Sequence, residues 1–187
     1  TMRDALVAGI NLNIFNKHCD RVKMANIAQM VNVLQSVILT EGAKMILTPT
    51  YHVFKMYTPF QEALPLPVDI SCKTMNVRKD YTKPIAPDNQ KNLPLVSCSA
   101  AKKDDGTILI ALANVCHDKQ QEIKINLSGE NPKSFKGTIL TSKNIADHND
   151  FGHPNKVKPE AFNNAKIKDN VLNIQLPAKS IVVLEVK

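Results

Sequence analysis

The chain has 187 residues, a formal charge of +7 and no tryptophan. That length buries one good core, or one core with part of another, and the composition is that of a globular rather than a disordered protein. The charge is spread singly: the densest runs, Lys102-Lys103 and residues 156–158, are short and lack interleaved aromatics. This argues against a nucleic-acid surface, and no apolar run is long enough to span a bilayer.

Residues 2–18 carry helical periodicity, with Leu6, Ile10 and Leu12 joined by Ile14 or Phe15 on one stripe. Thr1 and Asp4 fit the spacing of a capping box. A very short connection leads to residues 22–28, where Val22, Met24, Ala25, Ile27 and Ala28 make a nearly continuous apolar run. Such a run suits a strand covered on both faces, as in a parallel sheet. Gln29 and Asn32 follow where that strand must stop. In parallel α/β architectures ligands are held at the carboxyl ends of strands, and a side-chain amide both donates and accepts there. On the residues alone two readings stay open: a ligand-holding amide, or a polar loop with a satisfied one.

Residues 37–40 and 45–48 read as a hairpin around Glu41-Gly42, with Gly42 supplying the positive φ of the turn. Pro49 closes its second strand. Residues 51–61 read as a short helix with Val53, Phe54 and Tyr57 on one face and Thr50 as N-cap. Leu64-Pro-Leu-Pro67 is a break, and the text then changes character. Strand-like segments appear at 68–77, 95–101, 107–115, 122–127, 135–141, 170–176 and 181–186, separated by turn clusters. Two of them alternate, through Ile123, Ile125 and Leu127 and through Val171, Ile174 and Leu176. This pattern predicts a mainly β fold: an antiparallel, jelly-roll-like β-sandwich over residues 64–187. Residues 1–63 are α/β in style but hold one parallel-type strand, which cannot make a sheet. They are read as the tail of a larger α/β domain.

The four cysteines are widely spaced and give no metal or redox signature; Cys72, Cys98 and Cys116 lie in strand-like segments and are expected to be buried free thiols. Asp147, His148, Asp150 and His153 have the residue types of a metal cluster. They sit in a loop without a frame to fix ligand geometry, and turn capping is expected of Asp147 and Asp150. No metal and no cofactor is expected. No signal peptide is legible, and Thr1-Met2 does not read as a natural N-terminus, so the compartment stays open.

Three early stretches carry a family resemblance: Leu6-Val-Ala-Gly-Ile-Asn-Leu-Asn-Ile-Phe-Asn, Val22-Lys-Met-Ala-Asn-Ile-Ala-Gln, and Val33-Leu-Gln-Ser-Val-Ile-Leu-Thr-Glu-Gly with Leu47-Thr-Pro-Thr-Tyr-His-Val-Phe. They resemble the C-terminal end of α-L-arabinofuranosidases of glycoside hydrolase family 51. Gly137-Thr-Ile-Leu-Thr, Asp147-His-Asn-Asp-Phe151 and the closing Leu176-Pro-Ala-Lys-Ser-Ile-Val-Val-Leu-Glu resemble that family's sandwich. The resemblance implies a truncated (β/α)₈ barrel over residues 1–63, with residues 2–18 before the eighth strand, residues 22–28 as that strand and residues 51–61 as the closing helix. It implies a retaining mechanism with one Glu as acid/base and another as nucleophile. The family's acid/base Glu follows an Asn, and this sequence holds no Asn-Glu dipeptide. Both catalytic carboxylates are therefore expected outside this chain. Glu41 and Glu62, in a turn and at a helix end, are expected to be solvated.

By the same resemblance, Gln29 is a ligand of the arabinofuranose in the −1 position. Asn26 is a weaker candidate, and Asn32 borders the site mouth. The implied partner is an arabinose-containing oligo- or polysaccharide, with no nucleic acid, no membrane, and homo-oligomerisation left open. A rival reading is a non-catalytic carbohydrate-binding or oligomerisation sandwich. Sugar-binding modules present exposed aromatics, whereas residues 64–187 offer only Tyr81, Phe135, Phe151 and Phe162. Residues 22–28 and the stripe of residues 2–15 lack barrel partners here. They are expected to dock on the sandwich, pair with another copy or lose order.

Overall fold

The first helix, α1 (Met2–Lys17), opens with the capping box: the Thr1 hydroxyl accepts from Asp4 N–H, and the Asp4 side chain returns to the Thr1 backbone. Its buried face is Met2, Ala5, Leu6, Gly9, Leu12 and Asn13. That stripe is rotated from the expected one, since Ile14 is exposed and Ile10 only half-buried. The reason is close approach: a Cβ at Gly9 would lie 3.0 Å from Ile181 Cδ1, so the small residues face the partner surface. The structure, a computed structural model, describes residues 1–34, 36–84 and 86–187.

The hairpin forms as read, from β1 (Ile38–Glu41) and β2 (Lys44–Leu47), with Gly42 at φ +57°. The helix α2 (Pro49–Tyr57) starts earlier than expected. Thr48, not Thr50, is its N-cap, and Pro49 opens the helix, where its missing N–H costs nothing. A 3₁₀ turn over Thr58–Phe60 completes it.

Eleven further strands follow among the described residues: β3 (Leu64–Leu66), β4 (Thr74–Arg78), β5 (Gln90–Pro94), β6 (Val96–Lys102), β7 (Ile108–Asn114), β8 (Gln121–Asn126), β9 (Phe135–Leu140), β10 (Glu160–Ala161), β11 (Ala165–Lys168), β12 (Val171–Leu176) and β13 (Ser180–Val186). One antiparallel sheet runs β10-β9-β13-β7-β6-β3, and a second runs β11-β12-β8. Their inner faces make the sandwich core: Ile108, Ile110 and Leu112 of β7 and Val182, Leu184 and Val186 of β13 meet Leu172, Ile174 and Leu176 of β12. The mainly β, sandwich-type architecture read from the strand spacing is therefore present.

Four details differ from the reading. The stretch taken as a break holds β3, which pairs with β6 and tolerates Pro65 because it is an edge strand. Residues 68–73 form no strand, and the ladder begins only at Thr74. On β12 it is Leu172 that faces the core, because Val171 is half-buried beside the turn. That turn, Asp169-Asn170, has φ of +52° and +61° and joins β12 to the lysine-rich β11.

The larger sheet is also covered on its other side. Ala111 and Ala113 of β7 and Ile181 and Val183 of β13 pack with Met2, Ala5, Leu6 and Leu12 of α1 and with Val53, Met56 and Tyr57 of α2. All seven residues of β7 are buried. The molecule thus has three layers: helices, six-stranded sheet, three-stranded sheet. Of the three outcomes left open for the stripe of residues 2–15, docking on the sandwich is the one this structure contains.

The run 22–28 forms no strand. It has no regular structure and bends at Ala28, and Lys23, Met24, Asn26 and Ala28 are exposed. A strand needs a neighbour to take its N–H and C=O groups, and none lies beside it among the described residues. The nearest ladder contact is a single parallel bridge, Val31 to Ile38.

Candidate functional site

Three elements frame the region holding the sequence-predicted site residues. From His18, the C-cap of α1, the chain turns through backbone bonds of Arg21 N–H and Val22 N–H to His18 C=O. The irregular segment then leads to the hairpin, where Ile38 N–H donates to Met30 C=O (3.0 Å) and Asn32 N–H to Ile38 C=O (3.1 Å). Between this segment, α1 and α2 lies a groove of about 1040 Å³. Leu12, Phe15, Phe54, Tyr57 and Phe60 line it, together with residues 22–27 and Met30.

The three predicted amides share this segment but have different environments. Asn26 lines the groove and is exposed. Gln29 is exposed, beside Met30 at the point where the hairpin begins to hold the chain. Its amide makes no hydrogen bond among the described residues. Asn32 has φ +58° and is fully engaged with Thr40. It donates to the Thr40 hydroxyl (2.8 Å) and carbonyl (3.2 Å) and accepts from Thr40 N–H (2.7 Å). That amide is a strut for the hairpin in this structure.

Glu41 and Glu62 are both exposed. Among the described residues no group of three His, Cys, Asp or Glu side chains has metal-binding geometry. Asp147 and Asp150 cap turns, as expected. Asp147 accepts from Asn144 N–H (2.9 Å) and pairs with Lys156 (2.9 Å). Asp150 accepts from Gly152 and His153 N–H (2.8 and 2.7 Å). The backbone donors hold both carboxyls below the usual carboxylate range.

Two buried polar anchors went unread in the sequence. Asn149, 3 % exposed, ties the 142–158 loop to the hairpin by donating to Leu47 C=O (2.8 Å) and Val157 C=O (2.9 Å) and accepting from Val157 N–H (2.7 Å). Asn13, fully buried, sits between α1, α2 and β6. Its carbonyl accepts from Tyr57 Oη (2.9 Å) and Ser99 Oγ (2.8 Å), and its amide donates to Ser97 Oγ (3.2 Å). Burial drives the Tyr57 hydroxyl far above the ordinary tyrosine range, with a smaller push from Cys98, so it stays a neutral donor. Burial also pushes the Cys98 thiol up to about 11. Cys98 and Cys116 are buried and free, while Cys19 and Cys72 are half-buried and free. A polar residue on the inner stripe of α1 was the signal that could have found Asn13.

A family model described as "Alpha-L-arabinofuranosidase C-terminal domain" matches residues 1–180. An intracellular exo-α-L-arabinofuranosidase of Bacteroides ovatus is 49% identical over 187 residues, 100% of this chain and 34% of that protein. An intracellular exo-α-(1→5)-L-arabinofuranosidase of Bacillus subtilis is 25% identical over 186 residues, 98% of this chain and 35% of that protein. The chain thus spans about a third of the length of these two relatives. The crystal structure of a GH51 arabinofuranosidase from Xanthomonas axonopodis pv. citri superposes with a TM-score of 0.88 at 42% identity, over 100% of this chain and 36% of that one.

Proposed function

The chain belongs to the α-L-arabinofuranosidase C-terminal domain family, and from that premise we propose that it is the C-terminal part of a retaining, exo-acting family 51 α-L-arabinofuranosidase. The parent enzyme removes terminal α-L-arabinofuranosyl residues from arabinan- or arabinoxylan-type saccharides. The observation that carries this reading is the 49% identity with a named exo-α-L-arabinofuranosidase, unbroken over the whole chain.

In this reading residues 1–63 are the end of a (β/α)₈ barrel and residues 64–187 its accessory sandwich. Residues 22–28 are the eighth barrel strand, completed when the preceding strand lies beside them. Gln29 then stands at the carboxyl end of that strand, where barrel enzymes hold substrate. Its free amide hydrogen-bonds sugar hydroxyls and orients the ring, while proton transfer belongs to two glutamates that this chain does not supply. Asn26 and Asn32 contribute less, Asn32 through the hairpin it braces. A retaining pair needs two carboxyls about 5 Å apart around one sugar; of the two candidates here only Glu62 lines the groove, while Glu41 lies on the hairpin.

Steady-state kinetics on a chromogenic arabinofuranoside test the assignment. In the full-length parent, Gln29→Ala is expected to lower kcat/KM about 10- to 100-fold, the scale of one or two lost hydrogen bonds to the reacting sugar, with the unfolding midpoint unchanged. The pure 187-residue chain is expected to show no turnover. Unchanged kinetics in Gln29→Ala remove it from the site; turnover by the pure chain, abolished by mutating one of its own acids, refutes the division of labour.

A further inference from the structure

The buried polar cluster around Asn13 lies where helices meet sandwich. Asn13 and Ser99 are 0 % and 1 % exposed, and Tyr57 is 6 %. The bonds form one connected set: Asn16 donates to Ser99 Oγ (3.0 Å), Ser99 and Tyr57 donate to Asn13, and Asn13 donates to Ser97. The Tyr57 hydroxyl also lies 3.2 Å from Gly9 C=O.

The surface under α1 is smooth. Ala111 and Ala113 lie beneath it, and Gly9 brings the helix down onto Ile181. Apolar contact of this kind gives adhesion but little register. A buried hydrogen-bonded set does give register, because sliding by one position leaves several desolvated groups unpaired at once. The set also continues outward. Tyr57 stacks on Phe60 at 5.6 Å. Both rings line the same groove as residues 22–27 and Met30. Gln29 lies in the chain between two of those lining residues, Ile27 and Met30.

We propose that Asn13, Tyr57, Ser97 and Ser99 are positioning residues for the sugar site: they fix α1 and α2 on the sandwich and thereby set where the segment bearing Gln29 stands. The sandwich is then a working part of the site, although none of its residues touches the sugar. This inference rests on the assignment of Gln29 as a substrate ligand.

A double-mutant cycle in the full-length parent tests it, with every variant assayed well below its unfolding midpoint. Tyr57→Phe keeps the ring and removes one donor; Ser99→Ala removes another and serves if Tyr57→Phe does not fold. Each is expected to lower kcat/KM about tenfold, since a misplacement of about 1 Å far from the chemistry costs up to about 100-fold. In a Gln29→Ala background the same changes are expected to cost less than about twofold, because coupled residues are non-additive. Ser99→Thr, which keeps the hydroxyl, is expected to retain the parent rate. Equal losses in both backgrounds, or changes confined to the unfolding midpoint, overturn the inference and leave Gln29 in place. A silent Gln29→Ala overturns the ligand assignment and this inference with it.

Discussion

Two stretches of this chain read almost alike as sequence and end differently as structure. Ile108–Asn114 and residues 22–28 are both short, apolar and β-like. The first is β7, paired with β6 and β13 and buried at all seven positions. The second is irregular, with no strand partner among the described residues and Met24 74 % exposed. Lys23 and Asn26 make the second a little more polar, but the larger difference is in neighbours. A strand is defined by what takes its backbone hydrogen bonds, and β7 has a strand on each edge, a helix layer above and a second sheet below. Residues 22–28 have α2 on one side and no strand beside them among the described residues.

The largest expected effect separates the two directly. Leu112→Ala, in β7 at 1 % exposure, is expected to cost about 3 kcal/mol in urea unfolding of the 187-residue chain. Met24→Ala is expected to change stability by less than about 0.5 kcal/mol. Comparable costs at both positions would mean that residues 22–28 are packed after all. Gly137→Ala probes how tightly the larger sheet is built. A Cβ there would lie 2.7 Å from the Phe162 carbonyl oxygen and 2.9 Å from its Cβ, so backbone must move. A loss of about 1–3 kcal/mol is expected, and wild-type stability would show slack in that sheet.

The smallest effect is in pH. His52 sits half-buried on α2, and burial, helped by Lys55, holds its imidazole below the ordinary value. The fold therefore favours the neutral ring. Its stabilising contribution is complete above about pH 6.5 and declines as pH falls through the lowered folded value. The turn carboxylates Asp147 and Asp150 have the same sign at lower pH: complete above about pH 4, lost as pH drops further. A urea midpoint that falls in two shallow steps on acidification, the first removed by His52→Gln, is the expected profile.

Much of this was legible in the sequence because it is local. The capping box of Thr1 and Asp4 and the Gly42 turn are short-range devices, and both form. The inner-facing alternation of β8 is present too. What escaped is decided by tertiary contact. β11 does alternate, Ala165 and Ile167 inward and Lys166 and Lys168 outward, but four residues with one large apolar side chain make too short a pattern to stand out. Which face of α1 roofs the larger sheet could not be seen from a helix that carries Gly9 and Asn13 on its inner side. Of the site, the sequence pointed to the amides by their position after a strand-like run. That run forms no strand in this structure, and what an apolar run becomes depends on its neighbours, so the geometry around Gln29 could not be read from these residues alone.

Amide hydrogen exchange, compared between the 187-residue chain and the full-length parent, tests the central claim that residues 22–28 are a barrel strand lacking its partner. The account predicts that in the shorter chain these amides exchange almost as fast as unstructured ones, while those of Ile108–Asn114 are among the slowest. In the parent, residues 22–28 are predicted to join the protected class, with Ile108–Asn114 unchanged. Equal exchange of residues 22–28 in both proteins, fast or slow, would contradict it.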